Sequence, residues 1–394
     1  MIEAWRWFGP LDKITLPEIT QTGASGIVSA LHEIPYGEIW PVDAISTQQK
    51  MVANTGLLDW MVVESLPIHE RIKRGEGDLS TLFANYRQSM ANLAACGIYT
   101  ICYNFMPLLD WTRTTLDAPV KGGGMALRFD RQEMAIFEIF MLERDGAEAD
   151  YTPEIIDAAK QRFETMTQDD KDRLLASIMA GLPGAFDRYS ISQLRDELAK
   201  YKDIDRDSLR ANYSRFLHEV IPTATTLGMR LCVHPDDPPR DVLGLPRIVS
   251  SHADIAWIMD EVDNMANGLT LCSGSLGASP DNDVPQIAAE FADRIHFAHL
   301  RNVSKDADGS FQEAAHLDGD VDMVALVKAL MNEEKRRRQR GRADHQIVFR
   351  PDHGHELLSD IGRGTHPGYP LIGRMRGLAE LRGIIHALAH EQKE

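Results

Sequence analysis

Short apolar runs alternate with longer amphipathic segments along most of this chain. The runs fall at 5–8, 26–31, 60–64, 100–105, 230–234, 269–272, 295–299 and 346–349. Each is rich in Val, Ile, Leu or aromatic residues, is bounded by Gly, Pro or polar clusters, and is too short for a buried helix, so each reads as a strand. Between most of them lie helix-length segments with apolar residues three and four apart, such as 86–95 and 252–265. Strand and helix in regular alternation imply right-handed crossovers and a parallel sheet. Eight such units close a (β/α)8 TIM barrel, an α/β fold.

One connection breaks the rhythm. Residues 106–229, between the fourth and fifth expected strands, carry helical stretches at 131–142, 153–165, 170–182 and 208–226. Within them Ser190-Ile191-Ser192-Gln193 has the form of a capping box, in which the Ser hydroxyl and the Gln amide satisfy backbone donors reciprocally. The chain therefore reads as one catalytic barrel domain, 1–394, with a mostly helical insertion at 106–229. The insertion leaves from the C-terminal ends of the strands, where barrel active sites lie, so it is either a lid over substrate or an oligomer contact. Both readings stay open on pattern alone.

Composition narrows the class. A barrel needs ~250 residues, and the insertion accounts for most of the excess. A hydrophobic content of 43% supports a large core, and no run approaches the ~20 apolar residues of a membrane span. The opening residues show no basic stretch leading into an apolar one, so no secretory leader is expected. Four cysteines (Cys96, Cys102, Cys232, Cys272), three of them in expected strands, argue against a disulfide framework and for the cytoplasm. A net charge of −17 argues against a nucleic-acid partner. The basic cluster Lys335 to Arg338, with Arg340 and Arg342, reads as a solvated helix end.

Candidate chemistry sits at the ends of the last four strands. His234, Cys272, His299 and Asp352 each stand near the C-terminal end of a different one, and in a parallel barrel those ends converge on one mouth. A single strand Cys or His is more often a packing residue, but four ligand types at equivalent positions on adjacent strands point to one shared metal. Thiolate, two imidazoles and a carboxylate suit a divalent transition ion; Mg²⁺ and Ca²⁺ prefer all-oxygen shells.

The segments Ala-Trp-Arg-Trp-Phe-Gly-Pro, Val-Val-Glu-Ser-Leu-Pro-Ile-His-Glu, Cys-Tyr-Asn-Phe-Met-Pro, His-Pro-Asp-Asp-Pro-Pro, Glu-Ala-Ala-His-Leu-Asp-Gly-Asp-Val-Asp-Met and Arg-Pro-Asp-His-Gly-His resemble the D-mannonate dehydratases of the hexuronate pathway, from the first residues to the last helix. The resemblance implies a xylose-isomerase-like barrel and a Mn²⁺- or Fe²⁺-dependent dehydration of D-mannonate to 2-dehydro-3-deoxy-D-gluconate. It puts the metal ligands on His234, Cys272, His299 and Asp352, puts an acid–base pair on His353 and Tyr369, and implies a homodimer or larger homo-oligomer.

The chemistry fits those residue types. Removing the proton beside a carboxylate loads more negative charge onto an anion, which a Lewis acid absorbs, and expelling the 3-hydroxyl needs a positioned acid. His353 is the expected base and Tyr369 the expected acid, with the reverse assignment open. His353 can face the site only if Pro351 and Gly354 have ended the strand, because neighbours alternate faces in regular β structure. Further substrate contacts are expected from Arg301 to the carboxylate, Asn104 to a hydroxyl, Trp7 as an apolar wall, and His316. His32 and His69 are placed to line the pocket.

Asp318, Asp320 and Asp322 resemble part of a calcium loop, but no Glu closes it, so they read as a turn. Lys121-Gly122-Gly123-Gly124-Met125 lacks phosphate-loop spacing and reads as a flexible turn. Two other functions use a similar barrel mouth: isomerisation or epimerisation of a sugar or sugar acid, and non-catalytic binding of a sugar acid. The first begins with the same proton abstraction and loses no water; the second needs no thiolate-bound metal.

Overall fold

The structure, a computed structural model, describes residues 1–181 and 189–391. Its strands are β1 (Ile2–Arg6), β2 (Gly26–Ser29), β3 (Asp59–Glu64), β4 (Thr100–Tyr103), β5 (Thr115–Val120), β6 (Gly124–Phe129), β7 (Arg230–Val233), β8 (Asn267–Cys272), β9 (Ile295–Leu300), β10 (Asn302–Lys305), β11 (Phe311–Ala314) and β12 (Val348–Pro351). Eight of them close a barrel in the order β1-β12-β9-β8-β7-β4-β3-β2, every neighbour parallel. Each of the eight apolar runs supplies one barrel strand. The first strand lies earlier than 5–8, because Ile2 pairs with Val348 and its N–H donates to Ile347 O, and the chain leaves the sheet after Arg6.

Ala4, Val28, Val62, Cys102, Cys232 and Phe297 form an apolar layer inside the barrel. Residues one position away, such as Trp5, Ile27, Val63 and Ile101, join the larger core around it. Period-two alternation thus sends half of each strand inward and half toward the helices. The long helices Ser80–Ala95, Arg206–Leu227, Met323–Gln339 and Leu371–Glu391 bury apolar faces in the outer shell.

Between β4 and β7 the chain forms the helices Pro153–Thr165, Gln168–Met179 and Ile191–Ala199, the last with both reciprocal bonds of the Ser190–Gln193 capping box. Residue 182, the end of the expected helix 170–182, lies outside the described residues. The expected helix 131–142 is Arg131–Ala135 followed by a wider π turn, Ile136–Met141. Not anticipated was an antiparallel sheet, β10-β11-β6-β5, that joins a hairpin of the insertion to a hairpin following β9. Lys121 to Gly123 turn the first hairpin, where Gly122 and Gly123 take positive φ. A second core, including Phe129, Phe137, Ile178 and Leu194, takes in Val303 and Phe311 and so binds the insertion to the barrel's own loops.

The basic cluster is exposed at Lys335, Arg336, Arg338 and Arg340, as a solvated helix end would be, and departs from that reading at one residue. Arg337 is buried, donates to Ala292 O and Ile295 O, and pairs with Glu333 at 2.9 Å, so one of its charges is part of the fold.

Candidate active site and metal centre

Two residues beyond the inner apolar layer, the same face of each strand reaches the mouth. Ala4 is followed by Arg6, Val62 by Glu64, Cys102 by Asn104, Cys232 by His234, and Phe297 by His299. On the remaining strands Thr270 precedes Cys272, and Val348 precedes Arg350 and then Asp352.

His234, Cys272 and His299 offer ligand atoms that all lie within 4.8 Å of one another. His234 Nδ1 lies 2.6 Å from Pro235 O, which can only accept, so this nitrogen carries the proton and Nε2 keeps its lone pair. Arg350 Nη2, which can only donate, lies 3.4 Å from His299 Nδ1, so that nitrogen carries the lone pair and the proton sits on Nε2, on the side of Glu64. The two lone-pair nitrogens meet at 3.0 Å beside the thiol. Such an arrangement repels itself unless a cation lies between, and an N,N,S donor set with a carboxylate behind one imidazole suits a divalent transition metal. The residues present therefore fit the expected ion.

Asp352 stands at the edge of that trio. Its Oδ2 is 3.6 Å from Cys272 Sγ, and its other oxygen accepts from Arg350 Nη1. Burial alone would raise its pKa, but Arg350, His353 and Arg301 outweigh it and hold the carboxyl well below the usual range. Arg350 also grips Glu64 through two bonds of 3.1 and 2.8 Å, and Glu64 is held anionic in the same way.

A cavity of about 540 Å³ opens at this mouth, lined by His234, Asp352, His353, Tyr369 and Asn104 among others. Cys272 and His299 are fully buried and meet its wall through Asp352 and His234. β12 ends at Pro351 and Asp352 keeps its face, its N–H still donating to Leu300 O, whereas His353 is free of strand alternation and lines the cavity beside it. The rings of His353 and Tyr369 pack edge to face with centroids 5.1 Å apart. Burial, with Asp352 and Glu64, pushes the Tyr369 phenol well up despite Arg350 and Arg6.

Other expected contacts fall elsewhere. Trp7 is 3% exposed and belongs to the outer core, because alternation after β1 turns Arg6 and Phe8, not Trp7, into the cavity. Arg301 does not line the cavity: its guanidinium is consumed by Asp237 (2.7 Å), Glu313 (3.1 Å) and Asp352 (3.3 Å). His316 is buried away from the cavity with Nε2 2.9 Å from Leu300 O. Asn104 does line it and donates to Asp110. Of the two further histidines, His32 lines the cavity, while His69 caps the helix Glu70–Arg74.

Sequence reasoning passed over Arg6, Glu64, Arg350 and Glu313. The first three lay in plain view, since each stands two residues from an inward-facing one in a segment already singled out. Glu313 gave no such signal, because it reaches His353 from β11 outside the barrel.

A closed parallel barrel with a nitrogen–sulfur cluster and a histidine–tyrosine pair at its C-terminal mouth defines a TIM-barrel enzyme. The model of the family "D-mannonate dehydratase (UxuA)" matches residues 1–394, and the chain belongs to that family. It is 54% identical over 389 residues to the mannonate dehydratase of Chromohalobacter salexigens, covering 98% of this chain and 99% of that one. To the mannonate dehydratase of Rhizobium meliloti it is 51% identical, covering 99% and 98%. The crystal structure of mannonate dehydratase from Streptococcus suis superposes with a TM-score of 0.78 at 32% identity, covering 100% of this chain and 95% of that one.

Proposed function

We infer that this chain is a hydro-lyase that dehydrates D-mannonate to 2-dehydro-3-deoxy-D-gluconate. The observation that carries the reading is the family match over the whole chain, in which the cavity residues are included. Membership of a dehydratase family also separates this function from sugar isomerisation or epimerisation and from simple binding.

The roles follow from chemistry at the cavity. His234, Cys272, His299 and Asp352 would hold one Mn²⁺ or Fe²⁺, which when bound supplies a Lewis acid for the charge that develops at the carboxylate. In the tautomer whose Nδ1–H donates to Glu313 (2.9 Å), His353 presents its Nε2 lone pair as the base for the C2 proton. Tyr369, whose phenol is kept protonated by burial, donates its proton to the departing 3-hydroxyl. A tyrosinate base is disfavoured by the same upward shift. Asn104 supplies a hydroxyl contact.

Residues 106–229 belong in this reading to the same catalytic domain as the barrel, and Trp111 and Ala180 of that segment line the cavity, which supports a lid over an oligomer contact. Among the described residues no helix is long and apolar enough to cross a membrane. We place the enzyme in the cytoplasm, as a homodimer or larger homo-oligomer.

The test is anaerobic incubation of the Mn²⁺-loaded protein with D-mannonate. A 2-keto-3-deoxy acid, lighter than substrate by one water, is expected. A product of unchanged mass would indicate an isomerase, and recovered D-mannonate a binder; either overturns the reading.

A further inference from the structure

Four residues with a fixed positive charge line the described cavity: Arg6, Lys13, Lys73 and Arg350. Lys73 is neutralised by Glu70 at 2.6 Å and donates to Met106 O, while Arg350 is divided between Glu64 and Asp352. Lys13 is exposed at the rim. Arg6 differs from all three. It is 5% exposed, no described carboxylate lies within 4.0 Å of it, and its Nη1 is buried with no hydrogen-bond partner. Its other terminal nitrogen, Nη2, has only a 3.4 Å contact with His32 Nε2, and its carbon skeleton ends over the Phe8 ring at 4.6 Å.

A buried guanidinium with no counter-charge in contact is costly, and a protein normally keeps one only where a ligand completes it; Glu64 feels the charge of Arg6 but gives both its oxygens to Arg350. His32 does not supply that charge. Burial, Arg6 and His366 push its imidazole down to about 3, so it stays neutral and offers Arg6 a lone pair. Packing over Phe8 and the contact with His32 fix the plane of the guanidinium, the preorganisation that a bidentate carboxylate site needs.

We propose that Arg6 is the binding site for the carboxylate of the sugar-acid substrate, the role that Arg301 cannot fill because its own guanidinium is spent on protein carboxylates. The position agrees with the reaction. Arg6 packs over Phe8, whose ring meets Tyr369 edge to face at 5.0 Å, so a carboxylate held at Arg6 in the same cavity stands one ring away from the expected acid. Arg6 binds and orients; it moves no proton. The inference rests on the reading that the substrate is an aldonic acid.

The test compares the full chain with Arg6→Met, which keeps the stem, and Arg6→Lys, which keeps the charge without the fork. Binding of D-mannonate and of D-mannonamide, the same molecule without the anionic group, is measured by calorimetry, with kcat and KM for dehydration alongside. Arg6→Met is expected to weaken D-mannonate by roughly 30-fold or more and D-mannonamide by no more than about 3-fold, and Arg6→Lys to recover part of the loss for D-mannonate alone. Equal weakening of both ligands, or unchanged affinity for D-mannonate, overturns the proposal. Should Arg6→Met fail to fold, the same contrast is read from Arg6→Lys. If the unaltered chain binds D-mannonate but forms no keto-deoxy acid, the proposed reaction fails while the contrast between acid and amide still decides the role of Arg6. If the unaltered chain does not bind D-mannonate, both fail.

Discussion

Glu313 Oε1 lies 2.9 Å from His353 Nδ1, so a carboxylate on a strand outside the barrel can accept that nitrogen's hydrogen bond and leave the other nitrogen's lone pair to the cavity. Arg301 Nη1 approaches the same nitrogen at 2.6 Å. If Nδ1 accepts from Arg301, Nε2 carries the proton and His353 is an acid; if it donates to Glu313, Nε2 is a base. Glu313→Gln weakens the second state, and we expect kcat to fall by about 100-fold. A fall of less than about threefold would show that Glu313 does not set the tautomer.

The acid and base roles separate when exchange and elimination are read independently. His353→Asn should abolish exchange of the C2 proton with solvent, measured by NMR in D₂O. Tyr369→Phe should retain exchange but lower formation of the keto-deoxy acid by ~100-fold or more. Retained exchange in His353→Asn would reverse the assignment.

Chelation should remove activity, and added Mn²⁺ or Fe²⁺ should restore it. Cys272→Ser replaces the one soft ligand and should lower bound metal by at least about tenfold in affinity, seen as substoichiometric metal by elemental analysis. Full metal content in both Cys272→Ser and His234→Ala would place the ion elsewhere.

Acid should destabilise the fold in two stages. His32 and His296 titrate near 3 in the folded chain against an ordinary 6.5, because burial and neighbouring arginines oppose their charge. Their contribution is complete above pH 6.5 and is lost as pH falls from there toward 3. Glu313 is held to about 2, against an ordinary 4.5, by Arg301, His353 and Arg113 despite burial, so its contribution disappears between pH 4.5 and 2. Urea midpoints should therefore decline from pH 7 to 5 and more steeply below. His296→Gln should flatten the upper limb; a midpoint that rises on acidification would contradict the signs.

The eight barrel strands and the convergence of ligands were legible because both rest on local rules. A short apolar run flanked by turns is a strand whatever surrounds it, and parallel topology puts all C-terminal ends on one side. Alternation also carried enough to place Arg6, Glu64 and Arg350 in the mouth. The same alternation sends Trp7 to the outer core and Phe8 to the cavity, but reading the strand as 5–8 left its inward parity unfixed, which the pairing of Ile2 and Glu3 with β12 settles. The hairpins at β5-β6 and β10-β11 escaped notice because each is short and partly exposed, and the two join into one sheet only where β11 pairs with β6, far back along the chain.

Arg301 marks the boundary between the two kinds of information. Residue type and position qualified it for an anion, and the sequence by itself determined that much, along with the barrel, the family and the candidate ligands His234, Cys272 and His299 that the fold brings together. Only the tertiary structure decided that Asp237, Glu313 and Asp352 already neutralise it, and that no carboxylate among the described residues lies within 4.0 Å of Arg6. The physical reason is that periodicity fixes which way a side chain leaves its strand, whereas the partner that meets a charge comes from distant segments brought together by folding.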